Sequence, residues 1–330
     1  MRVVALEEHF SVPAVVKRID PAAIKARGYQ PRRAPTQGPN PMELLPEIGE
    51  RRFQSMDEAG ISVQVLSNNG PGPDLLPGAE GIAMAREIND YLAAAVARRP
   101  DRLAGFAVLP TQSPDACGAE LERTVKQLKF VGAMVHGTTD GRFLDHASYD
   151  GLLAAAEQLD VPIYIHPHLA PAPVRQAYYA GLEQGAGRAL EAAGWGWHSE
   201  TAIHVLRMVL AGTFDKHPKL KIIVGHMGEM LPMMLARIDE TFALEIGHLK
   251  RTISQTILEQ VWITTSGLFT EPPFLVALQT FGIDRILFSV DYPYAPNIKG
   301  REFLDRVSLS PADLAKLAHG NADALLKLKA

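Results

Sequence analysis

The chain of 330 residues contains a single cysteine, Cys117. One thiol excludes a disulfide framework and a cysteine-rich zinc site. No run of 18 apolar residues occurs, so no segment reads as a membrane-spanning helix. The start, MRVVALEEHF, turns acidic at its seventh residue and does not read as a secretory apolar region, so the cytoplasm is the expected location. Neither sign of charge dominates. The 33 Lys and Arg against 37 Asp and Glu give a formal charge of −4, which lacks the basic footprint of a nucleic-acid binder. No GxGxxG follows the first strand-like run and no GxxxxGK[ST] occurs, so neither phosphate-cradling loop is present. Internal repeats and low-complexity tracts are also missing.

What remains is ordinary globular composition, 47% hydrophobic and 21% charged. Its arrangement is informative. Eight short runs rich in Val, Ile, Leu and Phe occur at 3–10, 62–67, 103–110, 131–137, 161–168, 221–228, 261–267 and 285–293. They are nearly continuous rather than alternating, as suits parallel strands covered on both faces. Amphipathic stretches at 81–99, 114–128, 148–159, 200–214 and 230–249 separate them, with apolar residues at three- and four-residue spacing. Eight β/α units predict a single α/β domain over residues 1–330, a (β/α)8 TIM barrel. Two segments interrupt the pattern. Residues 18–46 hold six prolines, and residues 167–197 are rich in proline, then glycine; both read as long loops on the C-terminal face. The WGWH segment (195–198) reads as a lid or pocket wall.

Four strand ends carry polar residues that a barrel does not need for stability. They are Glu7-Glu8-His9, His166-Pro167-His168, His226 in VGHMGE, and Asp291 in FSVDYP. On a regular strand, residues i and i+2 share a face, so Glu7 and His9 point one way and Glu8 the other. Strand ends of one barrel converge on one pocket. Carboxylates gathered there need a counter-charge, and a divalent cation supplies it. Glu7, His9, His166 and Asp291 offer two nitrogen and two oxygen ligands with positions left open for water or substrate. Such a set suits Zn2+, Mn2+ or Fe2+ without choosing among them.

The motifs ALEEHF (5–10), RRPDRLAGFAVLP (98–110), VPIYIHPH (161–168), the 200–239 segment ending in MLARID, ITTSG (263–267) and DRILFSVDYP (284–293) resemble the amidohydrolase superfamily. The likeness is to its branch of metal-dependent aromatic-acid decarboxylases, such as the γ-resorcylate and 2,3-dihydroxybenzoate decarboxylases. Most superfamily members begin with His-x-His. Here Glu7 gives Glu-x-His, as in the dihydroxybenzoate decarboxylases. The resemblance implies that Glu7, His9, His166 and Asp291 bind the metal, with Asp291 also donating a proton to the ring. It implies that His226 faces the substrate without ligating, that Glu229 orients it, and that Arg237 is a buried arginine supporting the site. Three positions depart from the family pattern. His168 stands where an arginine is usual, His136 where an amide faces the substrate, and Tyr292 where tryptophan is common; all three are expected at the pocket.

The expected reaction is non-oxidative decarboxylation of a hydroxylated aromatic carboxylate by a carbon–carbon lyase. It uses one divalent ion and no organic cofactor. The alternative is a metal-dependent hydrolase of an ester, lactone, amide or C–C bond, with His226 as base or polariser. A non-catalytic scaffold would have no reason to keep four convergent metal-type residues. The Met- and Leu-rich 230–249 stretch, with the family's habit, implies a homodimer or homotetramer.

Overall fold

The computed structural model describes residues 1–29 and 39–328. Nine short strands run in chain order: β1 (Val4–Phe10), β2 (Val63–Asn68), β3 (Leu103–Gly105), β4 (Ala107–Val108), β5 (Ala133–His136), β6 (Ile163–His166), β7 (Ile222–Val224), β8 (Val261–Thr264) and β9 (Ile286–Leu287). All pairings are parallel, in the order β1-β2-β3 and β4 through β9. The third predicted run is therefore one stave broken at Phe106. There the Phe106 N–H donates to the Leu66 carbonyl at 2.9 Å and the Ala107 N–H to Gly132 at 2.9 Å, so pairing passes from one neighbour to the other.

Alternation sorts the strand residues into two cores. Val4, Leu6, Val63, Val65, Phe106, Met134, Tyr164, Ile223 and Leu287 fill the barrel interior, with Leu325 and Leu326 of the helix Asn321–Leu326 packed against them. Ala5, Ala133, Val135, Ile163, Ile165, Ile222 and Val224 face the helices outside. Parallel strands covered on both faces explain the unbroken apolar runs.

The seam between β9 and β1 closes differently. The His9 N–H donates to Tyr292 O at 2.6 Å. The Glu7 N–H donates to Ser289 Oγ at 2.6 Å. Glu8 accepts from Val290 N–H at 2.9 Å and Tyr292 N–H at 3.0 Å. A side-chain carboxylate thus stands in for part of a backbone ladder.

Both predicted long loops contain helices. Pro21–Arg27 begins after Asp20, whose side chain caps Ala22 N–H, and Pro41–Leu44 begins after Asn40, which caps Met42. Ala172–Tyr179 and Gln184–Glu191 occupy the second segment. Their prolines start helices, where a missing N–H costs nothing, instead of marking irregular chain. Pro31 and Pro35 lie outside the described residues. The helix Pro114–Leu128 matches its predicted bounds, whereas the one predicted at 230–249 ends at Phe242. Among the described residues no helix is long and apolar enough to cross a membrane.

Candidate metal centre and active site

β1 carries an irregularity that sets up the site. Ala5 pairs with Gln64 but Glu8 with Leu66, so one extra residue sits in β1. This bulge flips the facing of everything beyond it. Val4 and Leu6 point inward before it; Glu7 and His9 point inward after it, and Glu8 joins the wall. The i, i+2 expectation holds for Glu7 and His9, while continuing from Leu6 would have placed Glu8 inside.

Glu7, His9, His166 and Asp291 present ligand atoms that all lie within 4.8 Å of one another. His9 Nε2 stands 3.2 Å from Asp291 Oδ1, and His166 Nε2 stands 3.2 Å from Glu7 Oε1. Neighbours fix three of the four. Glu7 Oε2 is taken by the hydroxyls of Tyr164 and Ser266. Glu7 Oε1 is buried with no hydrogen-bond partner among the described residues. His166 Nδ1 donates to the Pro167 carbonyl at 2.8 Å, which leaves the neutral ring a bare lone pair on Nε2. His9 Nδ1 meets Ser67 Oγ at 3.0 Å. Gly225 is required by this crowding, since a Cβ there would sit 2.7 Å from Glu7 Oε2. An orphaned carboxylate oxygen beside oriented imidazoles fits a divalent cation, and two carboxylates with two imidazoles are its usual donors.

Burial opposes the charge on Glu7, but the facing His226, His166 and His9 outweigh it and hold its carboxyl below the usual range. Burial depresses the His136 ring, and the neighbouring His166, His168 and His9 add to it, so that ring is held neutral. His168 is likewise held neutral by burial and by Arg27.

His226 lies outside the ligand set, with Nε2 3.7 Å from Glu7 Oε1. Its Nδ1 meets Glu229 Oε1 at 2.7 Å. Burial would depress the His226 ring, yet the charges of Glu229 and Glu7 raise it to about 10. The turn that carries both is left-handed: φ is 49° at His226, 55° at Met227, 82° at Gly228, 53° at Glu229 and 67° at Met230.

A cavity of about 500 Å³ opens on His166. Tyr29, Leu169, Trp197 and Tyr294 form part of its wall, beside Ile24 and Met42 from the first predicted loop and Arg188 from the second. Both segments therefore stand on the face that holds the ligands. His136 and His168 line it too. His136 Nε2 is buried without a hydrogen-bond partner among the described residues. Both nitrogens of His168 are engaged: Nδ1 accepts from Leu169 N–H at 2.7 Å, so Nε2 donates to Tyr29 Oη at 2.9 Å.

Arg237 is not brought to the cavity within this chain. The helix Leu231–Phe242 buries Leu231, Leu235 and Ile238, and Arg237 falls on the opposite side. Its side chain is 72% exposed and pairs with Glu240 at 3.4 Å.

Sequence reasoning missed the hydroxyls around Glu7 and the role of His198. Tyr164 was within reach, being two residues before His166 on the same face. His198 Nδ1 meets Glu229 Oε2 at 2.5 Å, a contact that no spacing in the chain announces.

The amidohydrolase family pattern matches residues 9–328. The chain is 38% identical to the decarboxylase orsB of Emericella nidulans over 98% of this chain and 96% of that protein. It is 38% identical to a gamma-resorcylate decarboxylase of Rhodococcus jostii, covering 98% of each. A solved dihydroxybenzoic acid decarboxylase of Polaromonas sp. JS666, with bound manganese and the inhibitor 2-nitroresorcinol, superposes with a TM-score of 0.87 at 36% identity, covering 99% of this chain and 98% of that one. The chain belongs to the amidohydrolase family, in its branch of metal-dependent aromatic-acid decarboxylases.

Proposed function

We propose that the chain removes carbon dioxide, without oxidation, from a hydroxylated aromatic carboxylate of dihydroxybenzoate type. The observation that carries this reading is the convergence of Glu7, His9, His166 and Asp291 beside an aromatic-walled cavity. These four groups would hold a divalent ion, which would supply Lewis-acid polarisation to the bound hydroxybenzoate. Relatives bind manganese, and the same donors suit zinc.

The chain's own residues do the rest. Asp291 delivers a proton to the ring carbon bearing the carboxylate. The C–C bonding pair then returns to the ring and carbon dioxide leaves, so each turnover consumes one proton. His226, aimed by Glu229, stabilises charge on the departing carboxylate. His136 offers its unpartnered Nε2 to a ring substituent, and His168 holds Tyr29 against the cavity. Trp197 and Leu169 exclude water from the face of the ring.

The protein is further read as one domain working in the cytoplasm as a homodimer or homotetramer. Exposed Trp195, Met233, Leu244 and Leu275 support the assembly. A monomeric mass by light scattering counts against it.

Turnover of a hydroxybenzoate by the manganese-loaded enzyme in deuterated water tests the chemistry. Deuterium should enter the vacated ring position with release of carbon dioxide. Oxygen-18 from labelled water entering the product, with the carboxylate retained, would show a hydrolase instead.

A further inference from the structure

The left-handed turn at residues 226–230 is an unusual support for a histidine whose Nε2 stands 3.7 Å from Glu7 Oε1. Four of its five residues carry a Cβ, and the left-handed conformation is unfavourable for each of them. Such backbone persists where surrounding contacts over-determine it. Within the turn, Gly228 N–H donates to Gly225 O at 2.8 Å, Met230 N–H donates to Gly228 O, and His226 binds one oxygen of Glu229. Glu229 is wholly buried, and two imidazoles face its carboxylate.

The second imidazole comes from elsewhere. His198 sits in the first turn of the helix Gly196–Leu210 and meets Glu229 Oε2 at 2.5 Å through Nδ1. Its own Nε2 donates to the Ala193 carbonyl at 3.0 Å. Both ring nitrogens are thus anchored, one to the strained turn and one to the chain that leads into the helix. Among the described residues, His198 makes the only side-chain hydrogen bond that reaches this turn from another element. A second cavity of about 320 Å³, sharing no lining residue with the first, borders His198, His226, Glu229 and Met230. The turn therefore has open space on one side, where His198 meets Glu229. The WGWH segment divides the two cavities, with Trp197 facing the first and Trp195 and His198 the second.

We propose that His198 is a positioning residue for the decarboxylation: it fixes Glu229, and Glu229 then aims His226 Nε2 toward the metal ligands. The inference rests on His226 acting on the substrate. It makes no use of His198 as a ligand or as a group that touches substrate.

Three variants of the manganese-loaded enzyme test it. His198→Asn keeps an amide donor near the place of Nδ1 and loses the ring. His198→Phe keeps the ring's bulk and loses the donor. The expected result is that Phe lowers kcat by roughly tenfold with KM and metal content little changed, while Asn recovers most of it; removal of an acid–base group itself costs about 10²-fold or more. His226→Ala should show that larger loss. Asn and Phe variants with equal kcat, or Phe above Asn, would overturn the positioning role, because packing or nothing would then explain the site. Wild-type kcat in His226→Ala would instead overturn the assignment of His226, whatever the His198 variants do.

Discussion

Glu7 and Glu8 are adjacent on β1, both wholly buried, and belong to different regions of the molecule. Glu7 faces the cavity, where histidines surround it and hold its carboxyl low. Glu8 faces the wall. There burial pushes its carboxyl up to about 8, against two backbone N–H bonds and the nearby Arg52. Arg52 itself is buried, donating to His9 O at 2.6 Å and Gln64 Oε1 at 3.0 Å, with its guanidinium over the Tyr292 ring. Identical side chains one residue apart thus have separate surroundings: one stands in the cluster that could hold a cation, the other bonds across the seam that closes the barrel. Strand alternation separates them, and the bulge between Ala5 and Glu8 decides which of the two faces the cavity.

The sharpest way to break this comparison is to replace each glutamate in turn. Glu7→Gln keeps the shape and removes the charge. Metal content should fall by more than about tenfold and turnover by roughly 10²-fold, with circular dichroism unchanged. Full metal occupancy by elemental analysis would show that Glu7 is not a ligand. Glu8→Ala should act on the fold. It leaves the N–H groups of Val290 and Tyr292 buried without acceptors, at about 1–3 kcal/mol each. Urea unfolding should register a loss of about 2–5 kcal/mol, and an unmoved midpoint would mean that the seam does not depend on Glu8.

The smallest effect separates general acid sensitivity from either carboxylate. His204 is buried in the helix Gly196–Leu210, where Nε2 accepts from Leu144 N–H at 2.9 Å. Burial depresses its ring to about 3, from an ordinary value of 6.5. Its neutral form is the one that folds, so its contribution is complete above pH 6.5 and shrinks as pH falls from 6.5 toward 3. The slope is up to roughly 1.4 kcal/mol per pH unit. His204→Gln should flatten the acid limb of stability between pH 7 and 5. Equal slopes in the variant and the parent would remove His204 from the account.

The sequence made the barrel legible because eight buried parallel staves leave eight apolar runs. It made the ligands legible because strand ends of a barrel share one face. The break at Phe106 was hidden, since both halves of that stave are apolar and only the neighbours' carbonyls reveal the handover. The helices in the proline-rich segments were hidden because proline serves helix starts and loops alike. Arg237 misled because a motif in the linear chain does not carry a helix's facing; the buried spacing of Leu231, Leu235 and Ile238 already placed it outside. The contact of His198 with Glu229 left no trace, as the partner lies 31 residues on and meets it through a left-handed turn.

The seam has a consequence for how the protein is made. Glu8 and the Val290 N–H that it accepts from are 282 residues apart, and Arg2 pairs with Asp323 across 321. At a synthesis rate of roughly 5–20 residues per second, Glu7 and His9 wait about 15–60 s for Ser289 and Asp291 to be made. During that interval the nascent chain has neither a closed ring nor a complete ligand set. Affinity for the metal ion therefore reports on completeness: a chain cut short before β9 lacks Asp291 and the clasp on Glu8 together, and leaves the ribosome without a centre to load.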